Sequence, residues 1–458
     1  MQSRGYRSLS RPGLIVAGFL ACAMVLGGGG SPSPKAEILV QLAFVAALLA
    51  WIWWVPRGGG EEAAPVPREL LWLGGALLAV PLIQLVPLPP VLWQALPGRE
   101  LQIASLALVD AEDGWRPLSI SPPRTFAGLL ALVPAVVLMW ATAKLGSRER
   151  RFLVLTIAAI ALASAVLGAL QLAGGDGAFQ LYEMSHRGWL TGFHANRNAA
   201  VDVLLIGSLA LSAWFAGKGM PQAIARRRVP ALLGGQAVLL LAAVLTGSRM
   251  GIILILPVLA LNAVILKPVG DERTMRLAAR SAGALVIALL ALPLVLAGNL
   301  RLAGVAARFD VTGDARLVLW RDTVAAIEAY FPLGSGLGSF PVAFGPQESF
   351  ESLGPASINR AHNDYLELML ETGLLAPVLL AVGAILLVSL GRRAWREAPW
   401  DRTPQIFALG ALGVIALHSL VDYPLRNMAI AGLAGVAAGL LSPTRPSRSA
   451  RREADQGS

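Results

Sequence analysis

The stretch Arg360-Ala361-His362-Asn363-Asp364-Tyr365-Leu366-Glu367 sets a guanidinium, an imidazole, an amide and two carboxylates directly before a long apolar run. A histidine titrates near neutrality, so it can take a proton from a hydroxyl or orient it. Asn363 or Asp364 is placed to steer the ring. A polar cluster at the mouth of a membrane helix is costly to keep without a use. The competing reading makes His362 a helix-start residue bonded to backbone, with Asp364 as the N-cap. Glu367 and Glu371 follow one turn apart on one helix face. They suit pairing with arginines or shaping a pocket; both being tied to one rigid face, they are poorly placed as a general acid and base. The four histidines, at 186, 194, 362 and 418, have neither HxxxH nor HExxH spacing. The single cysteine, Cys22, rules out an internal disulfide framework or a cysteine-based metal site. No metal and no cofactor are expected.

The elements that must hold this cluster are membrane helices. The chain has 458 residues, 55% of them hydrophobic and 14% charged, and its mean hydropathy is +0.63. Soluble domains carry about 25% charged residues, so the composition points to an all-α integral membrane protein. A net charge of +10 could suggest nucleic acid, but the basic residues are spread over many loops, and a positive-inside topology explains them better. Apolar segments of about 20 residues lie near 12–28, 37–55, 70–87, 125–143, 152–173, 199–216, 231–247, 250–266, 281–298, 366–390, 405–421 and 426–442. The tight links at 247–250 and 421–426 make those pairs helical hairpins. Twelve spans put both termini on one side. Most of the 38 lysines and arginines then fall on the side of the termini, and most acidic residues on the other, so the termini are expected to be cytoplasmic.

The chain accordingly divides into nine helices over 1–298, a large outer loop over 299–365, three helices over 366–442 and a basic, disordered cytoplasmic tail over 443–458. The first span resembles a signal peptide, with a basic start and a Gly/Ser/Pro stretch after it. Its removal would leave an odd helix count and break the charge pattern, so a retained helix is expected. Residues 88–124, rich in proline and tryptophan (Trp93, Trp115), read as an interfacial loop. His194-Ala-Asn-Arg-Asn198 reads either as cavity lining or as part of another such loop. Within the large loop, Gly313–Ile327 has helical character and Gly334-Ser-Gly-Leu-Gly-Ser-Phe340 reads as a flexible turn. With no preceding strand, its glycine pattern does not suit nucleotide binding. His418 and Asp422, one turn apart, read as a buried polar pair.

Four elements in this order carry a resemblance: Thr246-Gly-Ser-Arg249-Met-Gly251 opening a span, Arg316-Leu-Val-Leu-Trp320, Phe331-Pro-Leu-Gly-Ser-Gly-Leu-Gly-Ser-Phe340, and His362-Asn-Asp-Tyr-Leu366 followed by Glu371-Thr-Gly373. The series resembles the O-antigen ligase and polymerase superfamily over roughly residues 190–430. The resemblance implies an enzyme of the bacterial inner membrane with its site, and the large loop, on the periplasmic face. It also implies a metal-independent, inverting transfer of a glycan from undecaprenyl diphosphate to an acceptor hydroxyl, on lipid A–core or on a growing polysaccharide.

The chemistry of such a transfer asks for guanidinium groups, which grip phosphate through a planar fork and stay charged. Arg249 and Arg316 are the expected anion holders beside the catalytic His362. Arg197, Arg321, Asn363, Asp364 and Glu371 are expected to bind or frame substrate. Each has a plainer reading: Arg249 as a headgroup anchor, Arg316 as one charge on a solvated helix. A polymerase of O-antigen or exopolysaccharide is the alternative function. A transporter or flippase is the second alternative, disfavoured by a short central link and no visible internal repeat. Membrane lipids are expected partners and nucleic acid is not.

Overall fold

The computed structural model describes residues 9–29, 34–55, 65–175, 177–217, 228–267, 315–351, 353, 357–397 and 402–443. Its helices are α1 (Arg11–Leu26), α2 (Pro34–Trp54), α3 (Arg68–Gln84), α4 (Pro90–Trp93), α5 (Glu100–Ala107), α6 (Pro122–Lys144), α7 (Ser147–Ala173) and α8 (Arg197–Ala216). They continue as α9 (Arg228–Leu245), α10 (Arg249–Leu266), α11 (Ala315–Tyr330), α12 (Phe340–Phe344), α13 (Asp364–Thr372), α14 (Leu375–Glu397), α15 (Thr403–His418) and α16 (Met428–Leu440). Two very short strands, β1 (Pro87–Leu88) and β2 (Arg116–Pro117), pair antiparallel with Pro87 opposite Pro117. They close the 88–124 loop, where the buried Trp93 indole donates to the Gly114 carbonyl at 2.9 Å.

Among the described residues, seven helices (α2, α6, α7, α8, α9, α10 and α14) are long and apolar enough to cross a membrane; α1, α15 and α16 are apolar but shorter. The expected ninth span, 281–298, lies outside the described residues, as does much of the first part of the large loop and the expected tail beyond Pro443.

One expected span is corrected. The apolar run over 366–390 is two elements, α13 and α14, because the chain turns at Gly373, where φ is +56°. A Cβ there would collide with the Pro332 carbonyl, so glycine lets the 331–338 turn wedge in and stop the helix. The membrane span starts only at Leu375, and α13, with its buried Asp364, Glu367 and Glu371, belongs to the polar end.

α8 is the central post. It is buried along nearly its whole length and packs against α7, α9, α10 and α15. Its polar residues are paired: Ser208 donates to Gln236 of α9 at 2.6 Å and accepts from Asn262 of α10 at 2.8 Å, while Gln236 donates to Ser212 at 2.9 Å. Side-chain bonds of this kind join helices where lipid offers no partner. α16 lies against α6 through small residues. A Cβ at Gly435 would strike the Ala135 carbonyl, and one at Gly439 would come within 2.6 Å of the Met139 carbonyl.

Contacts at the helix ends sort the connections into two sets. At one end the buried Arg150 donates to the carbonyls of Ala143 (2.8 Å), Leu145 (2.9 Å) and Ser442 (2.6 Å), closing the C-termini of α6 and α16. Arg393 there meets Glu69 at 2.9 Å. At the other end the Ala429 amide donates to Gly27, Leu190 to Leu245 and Asp364 to Ser419. The ends of α1, α9 and α15 and the starts of α13 and α16 therefore gather at this second end, and the candidate site is there.

Candidate active site

His362 sits just before α13 in the left-handed region, with φ +49°, a conformation uncommon outside glycine though histidine tolerates it better than most. Four contacts hold the residue and its neighbours. Asn363 is the N-cap: its Oδ1 accepts from Tyr365 N (3.0 Å) and Leu366 N (3.1 Å), and its amide donates to the Leu420 carbonyl at 2.9 Å. Trp320, four residues after Arg316 on α11, donates its indole N–H to the Ala361 carbonyl at 3.0 Å. The imidazole then meets the buried Asp422, Nδ1 to Oδ1 at 3.1 Å, and lies edge-on to Tyr423 with centroids 4.9 Å apart. The ring keeps about a third of its surface exposed, so Nε2 is the nitrogen left to meet a ligand.

The residue that steers His362 is thus Asp422, rather than Asn363 or Asp364. Burial pushes the Asp422 carboxyl up, but the hydrogen bond and charge of His362, with the charges of His418 and Arg316, outweigh it and hold the group at about 2. Asp422 is a carboxylate at neutral pH, and it favours the His362 tautomer with the proton on Nδ1. The expected His418–Asp422 side-chain pair is replaced: His418 Nδ1 lies 2.6 Å from Asp202 Oδ1 of α8.

Next to His362 is a buried ionic cluster in which Glu367 and Glu371 pair with arginines, as their placement on one helix face suggests, with Arg426 as the partner that the sequence does not single out. Arg426, in the turn before α16, reaches Glu371 at 2.7 Å, Glu367 at 3.3 Å and Asp364 at 3.8 Å. Arg360 binds Glu367 at 2.6 Å, and the same glutamate accepts from the Ala361 amide. Three carboxylates on one face of α13 face two guanidinium groups. Burial pushes Glu367 up, yet Arg426 and Arg360 hold it below the usual range, whereas burial wins at Glu371. Burial also raises Asp364 to about 7, against the pull of Arg426. The cluster ties the 360–367 segment to the 422–427 turn and so holds His362 and Asp422 together.

The glycine turn is bound rather than flexible. Gly334 N donates to Tyr330, Ser335 N to Leu370 and Gly336 N to Glu371, each at 2.9 Å, and Leu337 N donates to the Gln84 side chain. Gly334 (φ +80°) lies so close to α13 that a Cβ would sit 2.7 Å from the Glu371 carbonyl carbon. The turn is a clamp on the C-terminus of α13.

The structure brings His362, Asn363, Asp364, Glu371 and Arg316 to one place. Arg316 is half-buried in the first turn of α11, and its charge reaches Asp422 and His418. Arg249, half-buried, opens α10 behind its N-cap Ser248. Trp189 packs on the adjoining Gly247, and the Arg197 guanidinium lies 5.0 Å from the Trp189 ring centroid. Arg321 stands apart, exposed and bound to Glu351 at 3.0 Å and Asp322 at 3.4 Å. Of the 194–198 segment, Asn196 and Asn198 line a narrow cleft with Asp202, Asp422, Tyr423 and Arg426. His194 is fully buried, which lowers its basicity to about 4. Among the described residues no group of three or more His, Cys, Asp or Glu side chains is arranged to hold a metal ion.

Residues 235–381 match the family model described as O-antigen ligase. The match runs from α9 into the start of α14 and takes in Arg249, Arg316, the glycine clamp and His362. It supports the O-antigen ligase superfamily and, with the apolar helices, a membrane protein of O-antigen ligase or polymerase type. No curated protein matches the chain.

Proposed function

We propose, from the likeness to O-antigen ligases, that this protein moves a glycan from an undecaprenyl-diphosphate carrier to an acceptor hydroxyl on lipid A–core, at the periplasmic face of the bacterial inner membrane. The observation that carries the reading is His362, tied through Nδ1 to Asp422 with the rest of its ring open, at the bundle end that also bears Arg249 and Arg316. His362 Nε2 takes the acceptor hydroxyl proton as the oxygen attacks the anomeric carbon. The bond from that carbon to the diphosphate breaks on the opposite face, and the sugar inverts. Negative charge grows on the leaving diphosphate, and Arg249 and Arg316, with Arg197 beside them, are the guanidinium groups at hand to bind it. Asp422 stabilises the imidazolium until the proton leaves.

Joining repeat units on the carrier uses the same bond-breaking step, so a polymerase is the second reading. The test is to delete the gene, complement with wild type or His362→Ala, and profile lipid-linked glycan and lipopolysaccharide by gel and mass spectrometry. Long carrier-linked chains beside bare lipid A–core identify a ligase; single repeat units, on the carrier or capping the core, identify a polymerase. His362→Ala is expected to lower transfer at least about a hundredfold while still inserting. A normal glycan profile in that strain would remove His362 from the reaction and bring the transporter reading forward.

A further inference from the structure

Behind the His362–Asp422 pair lies a second carboxylate–imidazole pair, joining α8 to the end of α15. His418 Nδ1 is 2.6 Å from Asp202 Oδ1, and both side chains are buried almost completely. Asp202 stands in the most deeply buried helix of the bundle, where an ionisable group is costly unless used. Its second oxygen, Oδ2, is buried without a hydrogen-bond partner, and Asp202 lines the narrow cleft together with Asp422 and Tyr423. The Asp422 amide donates to the His418 carbonyl at 3.0 Å, and the His418 ring lies within electrostatic reach of the Asp422 carboxylate. The four side chains therefore alternate: Asp202, His418, Asp422, His362.

We propose that the Asp202–His418 pair is a positioning device for His362. Asp202 fixes the His418 ring behind Asp422, so Asp422 faces two imidazoles and not His362 alone. The pair touches no substrate. The inference deepens, and rests on, the reading of His362 as the base. His418 is faced by Asp202 from α8, by Asp422 from the turn after α15 and by Arg316 from α11. His362 is faced by Asp422 and by the Tyr423 ring, which itself feels Arg360 and Glu367.

Without Asp202 to fix it, or without its imidazole, His418 no longer shares Asp422, which then serves His362 alone; the variants should hold the His362 proton to higher pH. The acid limb of the transfer pH profile should move up by about half a unit to one unit. Asp202→Asn and His418→Gln should give the same shift, and the double variant no more than either.

The experiment uses the full chain in nanodiscs. His362 is titrated by its rate of carbethoxylation with diethyl pyrocarbonate, read on its own peptide by mass spectrometry, beside the pH profile of transfer. Equal upward shifts that do not add support the proposal. An unchanged His362 midpoint, or activity lost evenly at all pH values, reduces the pair to structural glue and overturns it. The carbethoxylation midpoint needs no turnover, so a shifted midpoint with no transfer from any lipid-diphosphate donor, even in wild type, sinks the transferase reading alone. If Asp202→Asn is not recovered as a monodisperse protein, His418→Gln carries the test; if neither is recovered, the pair is a folding element and the proposal falls.

Discussion

His362 and Asp364 are two residues apart and have opposite relations to charge. His362 is half-open and rests on a carboxylate held at about 2, whereas Asp364 is buried and raised to about 7 by loss of solvent, despite Arg426. A carboxyl whose folded pKa is raised binds more protons folded than unfolded between about pH 4 and pH 7, so its contribution to stability falls as pH rises through that window. The loss is roughly 4 kcal/mol at full ionisation. Asp364→Asn should therefore flatten the decline in melting temperature from pH 5 to pH 8 relative to wild type. Differential scanning fluorimetry in detergent reads this directly, and an unchanged slope would mean that Asp364 ionises freely. Asp422 runs the other way. Its depressed pKa supplies stability above about pH 4 that is lost as pH falls toward 2.

Among the elements, α11 and α13 form the site jointly, since the Trp320 indole and the Ala361 carbonyl are the fixed point ahead of His362. Trp320→Phe keeps most of the packing and deletes one hydrogen bond, worth about 1 kcal/mol. Transfer should fall by roughly tenfold with little change in yield, because His362 loses part of what holds its left-handed backbone. A fall in yield matching the fall in activity would make Trp320 a folding residue instead. The α6–α16 seam belongs to the same scale but to a different purpose. Gly435 brings its backbone against the Ala135 carbonyl, and Gly435→Val should push the helices apart. The expected result is loss of monodisperse protein on size exclusion; a stable, well-behaved variant would show that the two helices are not in this contact.

At the scale of the whole molecule, the site end and the Arg150 end face opposite ways, so orientation in the membrane decides whether the chemistry is periplasmic. Labelling distinguishes them. With Cys22 changed to serine, a Ser349→Cys variant should react with a membrane-impermeant maleimide added outside intact, outer-membrane-permeabilised cells, whereas Arg396→Cys should react only after lysis. The reverse pattern would invert the topology inferred from the arginine bias.

Composition and hydropathy alone carried the mostly helical, membrane-type class, because a 20-residue apolar stretch has few other stable states. Spacing and residue type also singled out His362 and its neighbours as candidates and carried the resemblance to O-antigen ligases, since these lie within short runs. The order of α11, the glycine turn and α13 was legible for the same reason. The partners were not. Asp422 and His362 lie 60 residues apart, His418 and Asp202 216 apart, and nothing local says which imidazole takes which carboxylate. The sequence favours His418 with Asp422, one helical turn away, but α15 ends at His418 and turns its ring toward α8. Nothing local singles out Arg426 at the end of the 421–426 link; the fold turns that link back over α13 and buries the guanidinium against three carboxylates. The split of the 366–390 run at Gly373 depends on Pro332, more than thirty residues upstream. Hydrophobicity sets which segments are helices within the bilayer. Long-range packing sets where a helix stops and which charges meet, because a buried charge must be paired by whatever the fold brings to it.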